Sequence, residues 1–215
     1  MKVSRAKPAL RGLYAVTPDL DDTASLCQMV EASLRGGAAL LQYRNKRADA
    51  RLRIAQASAL LPLCRQYKVP LIINDDLKLC LALDADGVHL GASDGDLQAA
   101  RARLAPHQLL GASCYDQLEL ANSAAAAGVD YIAFGACFSS GTKPQAAQAS
   151  LTLFQMARQA GLPDSVAIGG ITLENAAQAI TAGASAIAVI GALWNSADIE
   201  HTARQFHQLF THRAS

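Results

Sequence analysis

One unit recurs along this chain. A helix-like stretch ends at small residues, a short apolar run follows, and the run stops at glycine or polar residues. RGGAALLQYRNK (35–46), LDADGVHLGASD (83–94), AAGVDYIAFGA (126–136) and TAGASAIAVIG (181–191) are four clear copies. Each apolar run is too short for a helix and lacks strict polar alternation, as expected of a strand buried on both faces of a parallel sheet. The spacers are amphipathic and of helix length, so the repeating unit is β-α.

Counting units predicts eight strands, near Gly12–Val16, Leu40–Tyr43, Leu71–Asn74, Gly87–Leu90, Leu109–Ser113, Tyr131–Phe134, Val166–Ile168 and Ala186–Ile190. Helices are expected at about Thr23–Arg35, Asp49–Tyr67, Leu77–Leu83, Asp96–Leu104, Gln117–Ala127, Leu151–Ala160, Leu173–Ala182 and Ile199–Thr211. The expected fold is α/β, a (β/α)8 TIM barrel forming one domain over residues 1–215. The rival, a doubly wound sheet, usually carries GxGxxG after its first strand, and none follows Val16.

Composition narrows the function. With 51% hydrophobic residues, 17% charged residues and a net charge of +1, the chain is not a disordered one. No positive excess is available to neutralise a nucleic-acid backbone, so no nucleic-acid partner is expected. The cysteines at 27, 64, 80, 114 and 137 show no CxxC and no metal-ligand spacing, and read as reduced thiols of a cytoplasmic protein. The N-terminus lacks the apolar stretch of a secretory signal. The most apolar tract, Ala184 to Trp194, is too short to cross a bilayer, so no membrane partner is expected. Oligomeric state stays open, with a homo-oligomer among the options.

A barrel of this kind builds its active site at the C-terminal ends of its strands. Polar chemistry stands there behind almost every strand: Gln42, Arg44 and Lys46; Asn74, Asp75 and Asp76; Gly91 and Asp94; Ser113; Ser140, Thr142 and Lys143; Gly169 and Gly170; Gly191. The opposite ends carry small residues such as Gly36, Gly128 and Gly183. That asymmetry argues for an enzyme.

The loops after strands 7 and 8 are the usual phosphate cradle of this fold, because glycines admit an oxyanion close to backbone N–H groups. Gly170 and Gly191 suit that role, against a plainer reading as tight turns with Thr172 capping a helix. Arg44, Lys46 and Lys143 meet only across the barrel mouth and suit a polyanion such as a diphosphate, against a plainer reading as solvated surface cations. Asp75 and Asp94 stand behind adjacent strands, and two hard carboxylates facing a diphosphate fit Mg2+. Helix capping is the competing reading: Asp76 stands just ahead of helix 3 and Asp94 just ahead of helix 4. His89 lies within strand 4, where a lone histidine is more often a hydrogen-bonded core residue. No Ser-His-Asp arrangement and no strand lysine for a Schiff base is evident, so a reaction driven by charge stabilisation and positioning fits best.

At these residues the chain resembles the thiamine-phosphate synthase (thiamine-phosphate pyrophosphorylase) family. The likeness runs from GLYAVTPD (12–19) to AIAVIGAL (186–193), through QYRNK (42–46), INDD (73–76), ADGVHLGASD (85–94), GAS (111–113), DYIAFGACFSSGTK (130–143) and IGGIT (168–172). The resemblance implies a phosphate-binding (β/α)8 barrel that joins a hydroxymethylpyrimidine diphosphate to a hydroxyethylthiazole phosphate. Gln42, Arg44, Lys46, Asn74, Ser113 and Lys143 would hold the pyrimidine diphosphate. Asp75 and Asp94 would hold Mg2+, and His89 would lie near the pyrimidine. Ser140, Thr142, Gly170, Ile190 and Gly191 would surround the thiazole phosphate. Three positions depart from the family pattern: Ala92 replaces a usual Gln, Ser139-Ser140 a usual Pro-Thr, and Gly191 a frequent Ser. Relatives that act as thiazole tautomerases or as non-catalytic regulators share the fold. They tend to lose the Asn-Asp pair and the second Asp, and the tautomerases carry a His where this chain has Ala136. Another phosphate-binding barrel enzyme would need a carboxylate acid-base pair, which would leave the basic trio without a partner.

Overall fold

A computed structural model describes residues 7, 10–91, 94–139 and 148–211. Strands β1 (Gly12–Val16), β2 (Leu40–Tyr43), β3 (Leu71–Asn74), β4 (Gly87–Leu90), β5 (Leu109–Tyr115), β6 (Tyr131–Phe134), β7 (Asp164–Ile168) and β8 (Ala186–Val189) pair in chain order. Every pairing is parallel, and β8 returns to β1, with Leu13 opposite Ile187, to close the barrel.

The helices that follow are α1 (Thr23–Arg35), α2 (Ala50–Tyr67), α3 (Leu77–Leu83), α4 (Leu97–Arg103), α5 (Leu118–Ala126), α6 (Thr152–Gln159), α7 (Ala176–Ala182), α8 (Gly191–Trp194) and α9 (Ile199–Thr211). Aspartates start four of them. Asp22, Asp49, Asp76 and Asp96 each accept a hydrogen bond from a first-turn backbone N–H of α1, α2, α3 and α4. Each such cap satisfies donors that the helix itself leaves unpaired.

Strand residues alternate between two cores, as the two-residue period of a strand requires. Leu13 and Ala15 of β1, Leu41 and Tyr43 of β2, Ile132 and Phe134 of β6, and Ile187 and Val189 of β8 face the helix layer, with Phe154 and Phe206 among the helix side chains that meet them. Tyr14 and Val16, Leu40, Tyr131 and Ala133, and Ala186 and Ala188 fill the barrel lumen. Each fully buried large apolar side chain contributes about 1.5–3 kcal/mol.

Several elements differ from the expectation, β7 among them, since it starts at Asp164 rather than Val166. β5 runs on to Tyr115 because its register shifts between Ser113 and Tyr115 and re-engages β6 at Phe134. α7 starts at Ala176 rather than Leu173, because the Asn175 side chain holds the preceding turn out of the helix. β8 stops at Val189, and an extra short helix, α8, begins at Gly191.

Candidate active site

The loops after β1 and β2 form one ion-paired unit. Thr17 Oγ1 accepts from Arg44 N and donates to Arg44 O, both at 2.8 Å. Asp19 Oδ1 accepts from Arg44 Nη1 at 3.2 Å and from Lys46 N at 2.9 Å. The sequence reading named Arg44 and Lys46 but missed Thr17 and Asp19, although both stand directly behind β1, as the named residues stand behind β2. Arg44, Lys46, Asn74 and Asp75 line a cleft of about 280 Å³. Arg53 of α2 lines it too, with a buried Nε that has no hydrogen-bond partner. Nothing in its helical spacing distinguished Arg53 from a surface arginine.

The acids behind β3 and β4 divide by role. Asp76 and Asp96 cap helices, whereas Asp75 and Asp94 do not. Asp75 adopts the left-handed region at φ 59°, an uncommon conformation for a residue with a side chain. Its N–H donates to His89 O at 2.8 Å, and its Oδ2 accepts from Asn74 Nδ2 at 2.6 Å. Asp94 Oδ2 accepts from Gly91 N at 3.0 Å. Asp94 is the neighbouring carboxylate that acts on Asp75. Loss of solvation, followed by the Asp94 carboxylate, pushes Asp75 above the usual carboxylate range, while Asn74 and Lys46 pull it back. Among the described residues, no three His, Cys, Asp or Glu side chains gather to hold a metal by themselves. A pair of carboxylates suits Mg2+, which keeps waters and phosphate oxygens as its remaining ligands.

Beneath the mouth, five side chains on five strands link across the lumen. Gln42 Nε2 donates to Tyr14 Oη at 2.9 Å, and the Tyr14 and Tyr131 hydroxyls lie 2.7 Å apart. Tyr131 Oη is 3.1 Å from His89 Nδ1, and His89 Nε2 is 2.9 Å from Ser113 Oγ. Burial pushes the His89 imidazole down to about 4, against an upward pull from Asp94. His89 is therefore neutral near pH 7, and it is both the hydrogen-bonded lumen residue and a neighbour of the aspartate pair. The tyrosines were legible only as apolar strand residues, since a hydroxyl pairing across a lumen leaves no trace in spacing.

On the far rim, Gly170 sits at φ 64°, and a Cβ there would lie 2.4 Å from the Phe138 carbonyl oxygen. Asn175, rather than Thr172, organises this turn. Its Oδ1 accepts from Thr172 N, and its Nδ2 donates to Gly170 O, both at 2.8 Å. Ile190 immediately precedes α8, whose first residue is Gly191. Trp194 Nε1 then donates to Val16 O at 2.5 Å and holds α8 over the end of β1. Loops after β7 and β8 with a short extra helix are where this architecture commonly holds phosphate. Ser140, Thr142 and Lys143 lie outside the described residues, as does Ala92. A larger cavity of about 460 Å³, lined by Arg11, Arg158 and Asp164, lies at the opposite end of the barrel from these groups.

Comparison with known proteins agrees with this layout. A model of the thiamine monophosphate synthase family matches residues 13–193. The thiamine-phosphate synthase of Methylobacillus flagellatus is 62% identical over 94% of this chain and 97% of its own length. That of Aromatoleum aromaticum is 52% identical over 94% and 97%. Among solved structures, the thiamine phosphate pyrophosphorylase of Pyrococcus furiosus superposes with a TM-score of 0.84 at 29% identity, over 96% of this chain and 98% of that one. The fold, the grouping of the rim residues and these matches lead to one conclusion: the chain belongs to the thiamine monophosphate synthase family.

Proposed function

We propose that this transferase joins a hydroxymethylpyrimidine diphosphate to a hydroxyethylthiazole phosphate by dissociative substitution, releasing pyrophosphate and forming thiamine monophosphate. Synthase activity follows from the family; the roles assigned to residues are our reading. The observation that carries them is the cleft at the mouth where Arg44, Lys46, Asn74 and Asp75 meet, with Asp94 acting on Asp75 as a neighbouring like charge and Arg44 anchored by Asp19.

Arg44, Lys46 and Asn74 hold the diphosphate oxygens, with Arg53 alongside, and Asp75 and Asp94 would hold Mg2+. When bound, Mg2+ screens the diphosphate and stabilises the departing charge. Gln42 and Ser113 orient the pyrimidine diphosphate above His89. The Gly170 turn, Ile190 and the Gly191 N–H surround the thiazole phosphate. The C–O bond breaks with its electron pair leaving on pyrophosphate, and the thiazole nitrogen forms the new C–N bond to the methylene cation. This step needs no protein base, and the residues around it are donors and cations. Binding geometry brings the two substrates together, which accounts for much of the rate.

The setting fits a small-molecule enzyme of the cytoplasm. All five cysteines are free thiols. Among the described residues, no helix is long and apolar enough to cross a membrane.

The test is formation of thiamine monophosphate by purified protein. Both substrates together with Mg2+ should yield product, and either substrate alone should not. Substrate binding without turnover would instead support a regulatory role.

A further inference from the structure

Tyr14 and Tyr131 are 1% and 0% exposed, so each hydroxyl must find its hydrogen-bond partners within the lumen. The five-residue chain has four links, and each link needs one proton. Gln42 supplies the first through Nε2. Tyr14 Oη therefore accepts there, and its own O–H is left for Tyr131. Tyr131, having accepted, has one O–H left for His89 Nδ1. A neutral histidine that accepts at Nδ1 carries its proton on Nε2, where it meets Ser113 Oγ.

With Gln42 donating through Nε2, any other arrangement strands a proton, and the opposite order closes only if the amide is turned over. If His89 instead donated from Nδ1 while Gln42 still donated from Nε2, Tyr131 would accept from it, and one of the two tyrosine hydroxyls would be left with no acceptor. The Gln42 orientation therefore sets the sense of every link to Ser113.

We propose that Tyr14 and Tyr131 are positioning residues that fix the hydrogen-bond polarity of the mouth, making Gln42 an acceptor through Oε1 and Ser113 a donor through its O–H. This rests on the reading that Gln42 and Ser113 hold the pyrimidine diphosphate. An aminopyrimidine offers an amino donor and ring-nitrogen acceptors, so the site meets it with an acceptor and a donor of set sense. Neither tyrosine touches substrate; both act through their neighbours. Removing the Tyr131 hydroxyl leaves the Tyr14 proton one remaining outlet, the Gln42 oxygen. The amide then turns over and presents its NH2 to the mouth.

Nitrogen-15 NMR of the wild-type protein at neutral pH, without substrate, reads the His89 tautomer directly. The proposal requires a proton on Nε2 and none on Nδ1; an Nδ1-protonated or doubly protonated ring overturns it. In the near-isosteric Tyr131→Phe variant, kcat/KM for the pyrimidine diphosphate should fall by about tenfold, while KM for the thiazole phosphate stays within about twofold. Equal losses for both substrates, or no loss for either, overturn it as well. If the wild-type protein makes no thiamine monophosphate, the functional reading fails instead, and the tautomer still decides whether the chain is ordered.

Discussion

Gly111 on β5 leaves room for Tyr131 on β6: a Cβ at position 111 would lie 2.0 Å from the tyrosine Cζ and 2.4 Å from its hydroxyl. The tyrosine ring is fully buried and stacks on His89 with centroids 5.5 Å apart. A missing side chain on one strand thus admits the residue that links the two halves of the lumen network. Gly111→Ala has no flexible neighbour to displace, so it should destabilise the fold by about 1–3 kcal/mol. Denaturant unfolding measures this, and kcat should fall further than the stability loss alone implies.

Stability should also depend on pH through His89. Its folded pKa, about 4, lies below the unfolded value of 6.5. Between those values the unfolded chain binds the extra proton, so stability rises with pH there. It is complete above about pH 6.5, falls as pH drops, and levels off below about pH 4. Between about pH 7.5 and pH 5 the loss should be about 2 kcal/mol. Chemical denaturation at the two pH values checks this against His89→Gln, in which the pH-dependent part should be largely absent.

Asp19 anchors the cationic side of the mouth. Asp19→Ala removes both the partner of the Arg44 guanidinium and the acceptor for Lys46 N–H. The pair is partly exposed, with side chains 26% and 30% accessible, so stability should change by less than about 1 kcal/mol. KM for the pyrimidine diphosphate should rise by about three- to tenfold with KM for the thiazole phosphate unchanged, as steady-state kinetics with each substrate varied in turn will show.

Asn175 is the corresponding anchor on the far rim. Asn175→Ala breaks the two hydrogen bonds that tie Thr172 and Gly170 together. The loop should loosen at a cost of about 1–2 kcal/mol. Here the kinetic defect should be the reverse, a raised KM for the thiazole phosphate with little change for the diphosphate.

Much of this was legible in the sequence because strands buried on both faces are short, apolar and end abruptly. Seven strands start where the alternation of apolar runs and small residues placed them, and the rim residues follow from strand ends. The eighth, β7, begins at Asp164, a charged residue that an apolar pattern omits. α8 escaped because four residues hold no helical period, and Ile190 and Gly191 read as strand and turn. The capping ambiguity among the acids could not be settled by spacing. Asp75 and Asp76 are neighbours, and only the backbone turn at Asp75 sends one to the helix and the other to the mouth. Tyr14 and Tyr131 were hidden for a similar reason, since 117 residues separate two hydroxyls that touch only once the barrel closes.

The central claim concerns Asp75 and Asp94, and the most direct measurement is pyrophosphate release as Mg2+ is titrated into metal-free enzyme, for wild type and Asp75→Ala, with thiazole-phosphate binding followed in parallel. Wild-type turnover should rise from near zero and saturate with metal. The variant should lose metal-dependent turnover by at least about a hundredfold while still binding thiazole phosphate. Turnover indifferent to chelation, or a variant that loses thiazole-phosphate binding as severely as turnover, would contradict the account.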